Sequence, residues 1–285
     1  MMSNWTRVCC VANIFIFRLL ITSVNLSYSF VIRKHSVANR LGGVVQGLDK
    51  VGAARSAQRP SKSLFPSIVE KTRTIANVCV SGTLCTLSSQ KSIEGYPFGS
   101  YVDYILDEKG WPILLLNEKS QHSQNVLRNK AVSLFCQVPS PQYYGQTSAA
   151  LGRVTITGDV DTVDKKSATP YKYAFSLVHP YTEEMVDSPK FIFAKVKPQK
   201  IYYTSGFGAV AEWVDVAEYE RTQPDVLAQE VPSLLPRLNV EKQVELKLMC
   251  KHFLRLPQVD SVRLHNIDRL GVDIRATMGE PGRVL

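Results

Sequence analysis

Short runs of alternating apolar and polar residues dominate the chain between positions 78 and 214, and this period of two predicts β-strands. The clearest pair comprises Pro97–Leu106 and residues 111–117, which flank the turn-forming sequence Asp-Glu-Lys-Gly and therefore predict a hairpin. Further strands are predicted at 78–87, at 131–138, at 148–160 as a strand pair, and at 191–203 with 209–214 as a terminal hairpin. Many short strands with few helices indicate a small antiparallel barrel.

Helical spacing of apolar residues is confined to a few stretches within this strand-rich part. Residues 67–77 carry apolar side chains at helical spacing, and residues 118–129 and 166–179 are also predicted to be helical. We therefore expect short helices that connect or cover the strands.

A second unit is predicted after an acidic stretch with prolines at residues 222–236. Residues 240–256 are predicted to form an amphipathic helix with Val240, Val244, Leu248 and Met249 on its apolar face. Two strand-like runs at 262–267 and 271–276 predict a small hairpin. The pattern thus places a barrel domain at residues 61–222 and a small α/β domain at residues 232–285.

Composition limits the class of protein. The chain has 285 residues, of which 45% are hydrophobic and 21% charged, so disorder, collagen and a polytopic membrane protein are excluded. The net charge is +9, but residues 1–60 hold eight lysines and arginines against one acid, whereas residues 61–285 hold 26 against 24. Because the positive charge lies in the first 60 residues and not on the predicted domains, nucleic-acid binding is not expected.

The basic N-terminal region has the composition of a targeting leader. Residues 8–26 are mostly apolar and precede Ser-Tyr-Ser, which predicts a signal peptide at residues 1–29, with a single membrane anchor as the alternative. Residues 30–60 are basic and contain one acid, as in a transit peptide. We expect plastid import by this bipartite leader and no stable membrane insertion of the mature protein. The alternative is a secreted or endomembrane protein with a basic linker.

The block from Tyr96 to Val138 resembles the split barrel of the pyridoxamine 5'-phosphate oxidase-like superfamily. The similar segments are FGSYVDY, a D-x-x-G turn, PILLLN, SxHxxN at the start of a helix, and AVSLF. The branch it resembles contains HugZ-type haem-utilisation proteins and the glutamyl-tRNA-reductase-binding protein, and the last 50 or so residues resemble the small domain of that branch. The resemblance implies an α+β, mainly β fold, in which an FMN-binding-type split β-barrel precedes a small α/β domain. Relatives continue as a further strand past the position of Leu285, which is consistent with a truncated gene model.

The junction between the second strand of the hairpin and the next helix has the chemistry of an anion site. The first amides of a helix carry partial positive charge, and Ser120 and Ser123 add hydroxyl groups beside them. His122 and Asn125 share one face of that helix. The resemblance implies that cofactor contacts are made by Gly99, Ser100, Tyr101, Val102, Ser120, Gln121, His122 and Asn125. Alternatively, Ser120 is only a helix cap, and His122 and Asn125 are polar groups of a dimer interface.

Two departures from the family pattern affect the cofactor. Flavin-binding members present arginine and lysine to the phosphate. This junction reads Ser-Gln-His-Ser, with Lys119 and Arg128 only flanking it, and Arg73 could reach it from the preceding helix. Haem-utilisation members open the small-domain helix with His-Met-Asn-x-x-His, and this chain keeps the Asn but neither histidine. His179, His252 and His265 have no second ligand at metal-site spacing, so no metal site is predicted.

Two hypotheses follow for the function. The first is a plastid split-barrel protein that binds FMN or haem and acts as an oxidoreductase-like or haem-handling protein of tetrapyrrole metabolism. The second is a non-catalytic regulator without cofactor that binds a tetrapyrrole-synthesis enzyme such as glutamyl-tRNA reductase. The resemblance implies a homodimer in both cases. Motifs of serine hydrolases, P-loop proteins and dinucleotide-binding folds do not occur.

Overall fold

The computed structural model describes residues 6–8, 65–138, 152–205, 208–254 and 259–277. Apart from one short strand, β1 (Thr6–Val8), the predicted signal and transit peptides lie outside the described residues. The chain divides into two compact units, one of residues 67–225 and one that combines residues 1–66 with 226–285. Among the described helices, none has the length and apolar character needed to cross a bilayer.

The first unit contains seven strands and four α-helices in the described residues. The elements are α1 (Ile68–Val78), β2 (Ser81–Leu87), β3 (Pro97–Leu106), β4 (Pro112–Asn117), α2 (Gln121–Arg128), β5 (Ala131–Gln137), β6 (Arg153–Thr162), α3 (Thr169–Val178), β7 (Phe191–Ser205), β8 (Val210–Val214) and α4 (Val216–Arg221). Short 3₁₀ turns lie at Lys91–Ile93 and Pro180–Thr182. The predicted strand pair at 148–160 is wrong for its described part, which forms the single strand β6.

Six of these strands close into an antiparallel barrel. Their order is β4-β3-β2-β5-β6-β7, and β4 pairs with β7 to complete the ring, while β8 pairs with β7 outside it. Closure depends on the length of β7, which has 15 residues and pairs with β4 near its start and with β6 over most of its remaining length. Alternate residues of each strand fill the interior, including Leu84, Leu134 and Ile156. The predicted fold class, an α+β split barrel, is confirmed.

The second unit is a small sheet covered by two helices. Its elements are α5 (Val231–Glu241), α6 (Gln243–Leu254), β9 (Ser261–Asp268) and β10 (Gly271–Thr277), and the sheet order is β1-β10-β9 with antiparallel pairing. Leu246 and Cys250 of α6 pack with alternate residues of β9 and β10 in its core. The predicted hairpin is therefore present, but α5 begins inside the stretch that was predicted to be a linker.

The predicted apolar face is wrong for three of its four residues, because only Met249 packs against the core of the unit. Val240, Val244 and Leu248 are 80%, 70% and 59% exposed. The predicted single helix at 240–256 is also wrong, since α5 ends at Glu241 and α6 begins at Gln243. The Asn239 side chain bonds both the N–H and the carbonyl of Leu264, and Gln243 Nε2 donates to the Val262 carbonyl. These bonds turn the polar residues toward β9.

Candidate functional site

Strands β3 and β4 separate at the place where the predicted site residues lie. Their pairing covers only the last three residues of β3, from Tyr104 opposite Leu114 to Leu106 opposite Pro112. The first part of β3 pairs with β2 on its other side, and β4 continues to Asn117 along β7. The chain then turns directly into α2. This opening, with β3 at one side and the start of α2 at the other, is called the split corner below.

The four predicted residues on β3 divide between two faces of the barrel. Val102 is buried in the core, and Ser100 directs its hydroxyl to the Leu84 carbonyl at 3.4 Å. Gly99 and Tyr101 belong to the other face, where Tyr101 is 70% exposed. Because side chains alternate along a strand, only Gly99 and Tyr101 present their outer face to solvent.

Tyr101 is held in place by a carboxylate that a second tyrosine also contacts. Its hydroxyl donates to Asp103 Oδ1 at 2.8 Å, and the hydroxyl of Tyr181 donates to Asp103 Oδ2. Burial and the neighbouring Asp103 carboxylate raise the pKa of Tyr181. Asp103 and Tyr181 were not predicted as site residues, because the 78 residues that separate them leave no local pattern to show the contact.

The hydroxyl groups at the start of α2 are hydrogen-bonded within the protein. Ser120 is the N-cap, and both Ser120 Oγ and Ser123 Oγ donate to the Asn117 carbonyl, at 2.8 and 2.7 Å. The two hydroxyl oxygens are also 2.9 Å apart. Because a hydroxyl has one proton to donate, neither serine is free to donate to a ligand while these bonds persist.

Asn125 connects α2 to the barrel and is completely buried. Its Nδ2 donates to Thr86 Oγ1 at 2.9 Å, and Thr86 Oγ1 in turn donates to the Phe98 carbonyl, next to Gly99. Its Oδ1 accepts from the Ser89 amide, the Ser89 hydroxyl and Gln121 Nε2. The structure thus links the two groups of predicted residues through one hydrogen-bond chain. The sequence analysis missed Thr86 and Ser89, although the polar run after β2 was a visible signal.

His122 is the predicted site residue without a polar partner at its ring tip. Its Nε2 atom is enclosed and makes no hydrogen bond. Desolvation lowers the pKa of the imidazole below 6.5, so the ring is neutral near pH 7. Its place in the first turn of α2, where the helix dipole is positive, also disfavours the charged ring.

Arg73, which could have reached the junction from the preceding helix, bonds to other parts of the barrel unit. It is only 4% exposed, and its Nε and Nη2 donate to the carbonyls of Thr222 and Glu108 at 3.2 Å. The guanidinium lies over the Tyr219 ring, 5.2 Å from its centroid. Nη1 is buried without a partner. The arginine therefore braces the turn between β3 and β4.

The thiols and carboxylates of the described residues form no metal site. Among these residues no group of three histidines, cysteines, aspartates or glutamates lies close enough to hold a metal ion. Cys79, Cys136 and Cys250 are buried free thiols, and Cys85 is half-buried. Burial raises the pKa of Cys79 and of Cys136 to about 12, so both stay protonated and unreactive.

A row of aromatic and threonine side chains crosses the outer face of the barrel. It starts at Tyr101, and each member lies directly opposite the next on the neighbouring strand: Tyr101, Thr83, Phe135, Thr155, Tyr202 and Trp213. The rings of Tyr202 and Trp213 are in contact, with centroids 4.7 Å apart. None of the six is fully buried, and Trp213 is largely exposed. The row is called the aromatic row below.

Comparison with known proteins agrees with this fold. The chain is 28% identical over 215 residues to the non-canonical heme oxygenase HOZ, chloroplastic, of Arabidopsis thaliana, covering 74% of this chain and 64% of that protein. It is 25% identical over 224 residues to the chloroplastic glutamyl-tRNA reductase-binding protein of the same plant, covering 78% and 62%. The chain thus spans less than two thirds of the length of both relatives.

Solved structures and a family model point to the same barrel. A heme binding protein from Mycobacterium smegmatis superposes with a TM-score of 0.59 at 23% identity, over 75% of this chain and 85% of that chain, which shows a shared fold. The predicted membership of the split-barrel superfamily and branch is confirmed. The family model described as CREG, beta-barrel matches residues 66–221, more than half of the chain. The chain belongs to the CREG β-barrel family.

Proposed function

We propose that this chain is a plastid protein of tetrapyrrole metabolism that binds haem at the split corner and takes part in haem handling. The observation that carries the proposal is the similarity, over about three quarters of the chain, to a chloroplastic heme oxygenase and a chloroplastic glutamyl-tRNA reductase-binding protein. The basic leader supports plastid import. A bound haem supplies a redox-active iron, and the chain holds and orients it.

The chemistry of the split corner supports haem over FMN. A flavin phosphate is a dianion that is best held by an arginine or lysine. Arg73 is engaged elsewhere, Arg128 lies 3.8 Å from Glu94, and the flanking Lys119 is exposed and lacks the bidentate geometry of an arginine. The hydroxyls of Ser120 and Ser123 donate to Asn117. Gly99 has no side chain on the exposed face of β3 and so leaves a flat surface of the kind that a haem ring needs.

The aromatic row supports the proposed homodimer. Large side chains such as Phe135, Tyr202 and Trp213 on an exposed sheet face are typical of a surface that a partner covers. We expect Phe135→Asp, in the middle of the row, to convert a dimer into a monomer in analytical ultracentrifugation. Glu184→Lys, an exposed charge change outside the row, is the matched control. A wild-type chain that sediments as a monomer contradicts the homodimer.

Haem binding is tested by absorption spectroscopy on the full chain. Separate titrations with haemin and with FMN are expected to give a saturable Soret band with haemin and no bound flavin spectrum. Gly99→Val places a branched side chain against Thr83, whose Cγ2 lies 3.3 Å from a Cβ at this position, and is expected to weaken haemin binding. Failure of the wild-type chain to bind haemin contradicts the proposal.

A second function is favoured by the closed hydrogen bonding of the split corner. Ser120 and Ser123 both donate to the Asn117 carbonyl, and Asn125 bonds to Thr86 and Ser89, as in a site whose role is structural. We propose as the alternative a non-catalytic regulator that binds glutamyl-tRNA reductase. A colourless protein that binds purified glutamyl-tRNA reductase in a co-sedimentation assay supports this alternative, and absence of binding contradicts it.

A further inference from the structure

We propose that the outer edge of strand β10 pairs with the same edge of a second copy of this chain after the predicted signal peptide is removed. The sheet order is β1-β10-β9, so β9 covers one edge of β10 and β1 covers the other. β1 pairs antiparallel with residues 272–274 of β10, and it lies inside the predicted signal peptide at residues 1–29. Its removal leaves the amides and carbonyls of that edge open to another strand.

The core of the small unit lies outside the predicted leader. The described core residues, together with the partly buried residues packed against them, all fall between Leu227 and Ala276. A chain that begins at Phe30 keeps every one of them. We therefore expect the small unit to stay folded without β1, with β10 as an edge strand.

The two faces of β10 differ in chemistry. Val272 and Ile274 are buried in the core, and Ala276 packs against it. Because alternate residues of a strand lie on opposite faces of the sheet, positions 273 and 275 share the other face. In the sequence these positions hold an aspartate and an arginine.

The sequence of β10 is complementary to itself. When two β10 strands run antiparallel about a two-fold axis at Ile274, Asp273 of each copy lies opposite Arg275 of the other. On the core face, Val272 lies opposite Ala276, and the two copies of Ile274 are opposite each other. Cross-strand pairs of opposite charge stabilise a sheet, and the two-fold axis forms this pair twice.

The register within the chain adds a reason for a carboxylate at this edge. Position 275 lies opposite Arg263 of β9, and like charges directly opposite each other destabilise a strand pair. Asp273 of a second copy places a negative charge on the other side of position 275 and offsets this repulsion. The charges of β10 thus favour a second copy of this chain as the occupant.

The test is sedimentation of chains that begin at Phe30 and carry Phe135→Asp, which removes association through the aromatic row. We expect a dimer that depends on concentration, because a pair of seven-residue strands forms a small interface. Asp273→Lys places a lysine opposite an arginine twice and is expected to raise the dissociation constant at least about tenfold. The double variant Asp273→Lys with Arg275→Asp exchanges the charges and is expected to restore the dimer.

Two controls accompany these variants. Lys251→Glu reverses an exposed charge on α6, away from β10, and is expected to leave the dimer unchanged. The full-length chain with Phe135→Asp is expected to stay monomeric, since β1 covers the edge. Arg275→Asp alone places two aspartates opposite each other and should weaken the dimer as Asp273→Lys does, so the test does not depend on the folding of one variant.

Three results overturn the proposal. The first is a chain from Phe30 with Phe135→Asp that stays monomeric at every concentration, as when residues 278–285 of the same chain cover the edge. The second is a dimer that neither Asp273→Lys nor Arg275→Asp weakens. The third is a double variant that stays monomeric although circular dichroism shows that it is folded. The haem proposal is independent of all three.

Discussion

Gly110 is the position at which one added methyl group tests the buried arginine brace of the barrel. Its φ angle is +83°, in the left-handed region, and a Cβ here would overlap Nη1 and Cζ of Arg73 and lie 2.8 Å from Tyr219 Cε1. Gly95 has a similar φ of +78° but nothing within 4 Å of the added Cβ. The two glycines therefore share the backbone cost of substitution by alanine and differ in the packing cost.

The difference can be estimated from the contacts. Alanine in the left-handed region costs about 1–2 kcal/mol, part of which is offset by about 0.4–1 kcal/mol from the less flexible unfolded chain. Gly95→Ala should thus lower the free energy of unfolding by about 1 kcal/mol. Gly110→Ala also displaces the guanidinium and its two bonds to carbonyls, each worth about 1.5–3 kcal/mol because the donor is charged. We expect a total loss of at least about 4 kcal/mol.

Urea unfolding followed by tryptophan fluorescence measures these losses. Two of the three tryptophans, Trp111 and Trp213, lie in the barrel unit and report on it. In an Arg73→Ala background the overlap with the guanidinium is gone and the contact with Tyr219 Cε1 at 2.8 Å remains, so Gly110→Ala should then cost less than it does in the wild type. Equal losses for the two glycine variants in the wild-type background would refute the reasoning.

Three further predictions concern other parts of the structure. Asn125→Ala leaves Thr86 and Ser89 without their buried partner and should lower the unfolding free energy by about 2–4 kcal/mol in thermal or urea unfolding. A loss below about 1 kcal/mol, on the order of one ordinary hydrogen bond, contradicts the network. Leu246→Ala should lower the unfolding free energy by about 2–5 kcal/mol and Leu248→Ala by less than about 0.5 kcal/mol, because only Leu246 is buried. A larger loss for Leu248→Ala than for Leu246→Ala would support the helix face predicted from the sequence. Because the pKa of His122 is lowered in the folded chain, the unfolded chain binds a proton first as the pH falls. The free energy of unfolding should therefore be full above pH 6.5 and decline below it, and it should decline less in His122→Gln. Urea midpoints measured on both sides of that pH test this prediction.

Features that depend on neighbouring residues could be predicted from the sequence. The hairpin of β3 and β4 follows from a turn whose Asp107 accepts from the Trp111 amide and whose Gly110 takes a positive φ. Ser120 was considered as a helix cap, and the structure places it there. In each case the residues that decide the conformation lie within a few positions of one another.

Features that depend on distant contacts could not be predicted in the same way. Arg73 was considered as a residue that could reach the split corner, but it bonds the carbonyls of Thr222 and Glu108, which lie 149 and 35 residues away in the sequence. The helix of the small unit was assigned its core face from apolar spacing alone. Asn239 of α5 and Gln243 of α6 bond to β9 instead, and the 25 residues between Asn239 and Leu264 leave no local pattern to show the contact.

Those same bonds protect the small unit against aggregation. In the described residues β9 has a neighbouring strand, β10, on one side only, and the free edge of a sheet is a template on which another chain can add a strand. Asn239 offers its amide to both backbone groups of Leu264, as a residue of an added strand does. Helix α5 thus caps the edge at its midpoint and blocks intermolecular strand addition there.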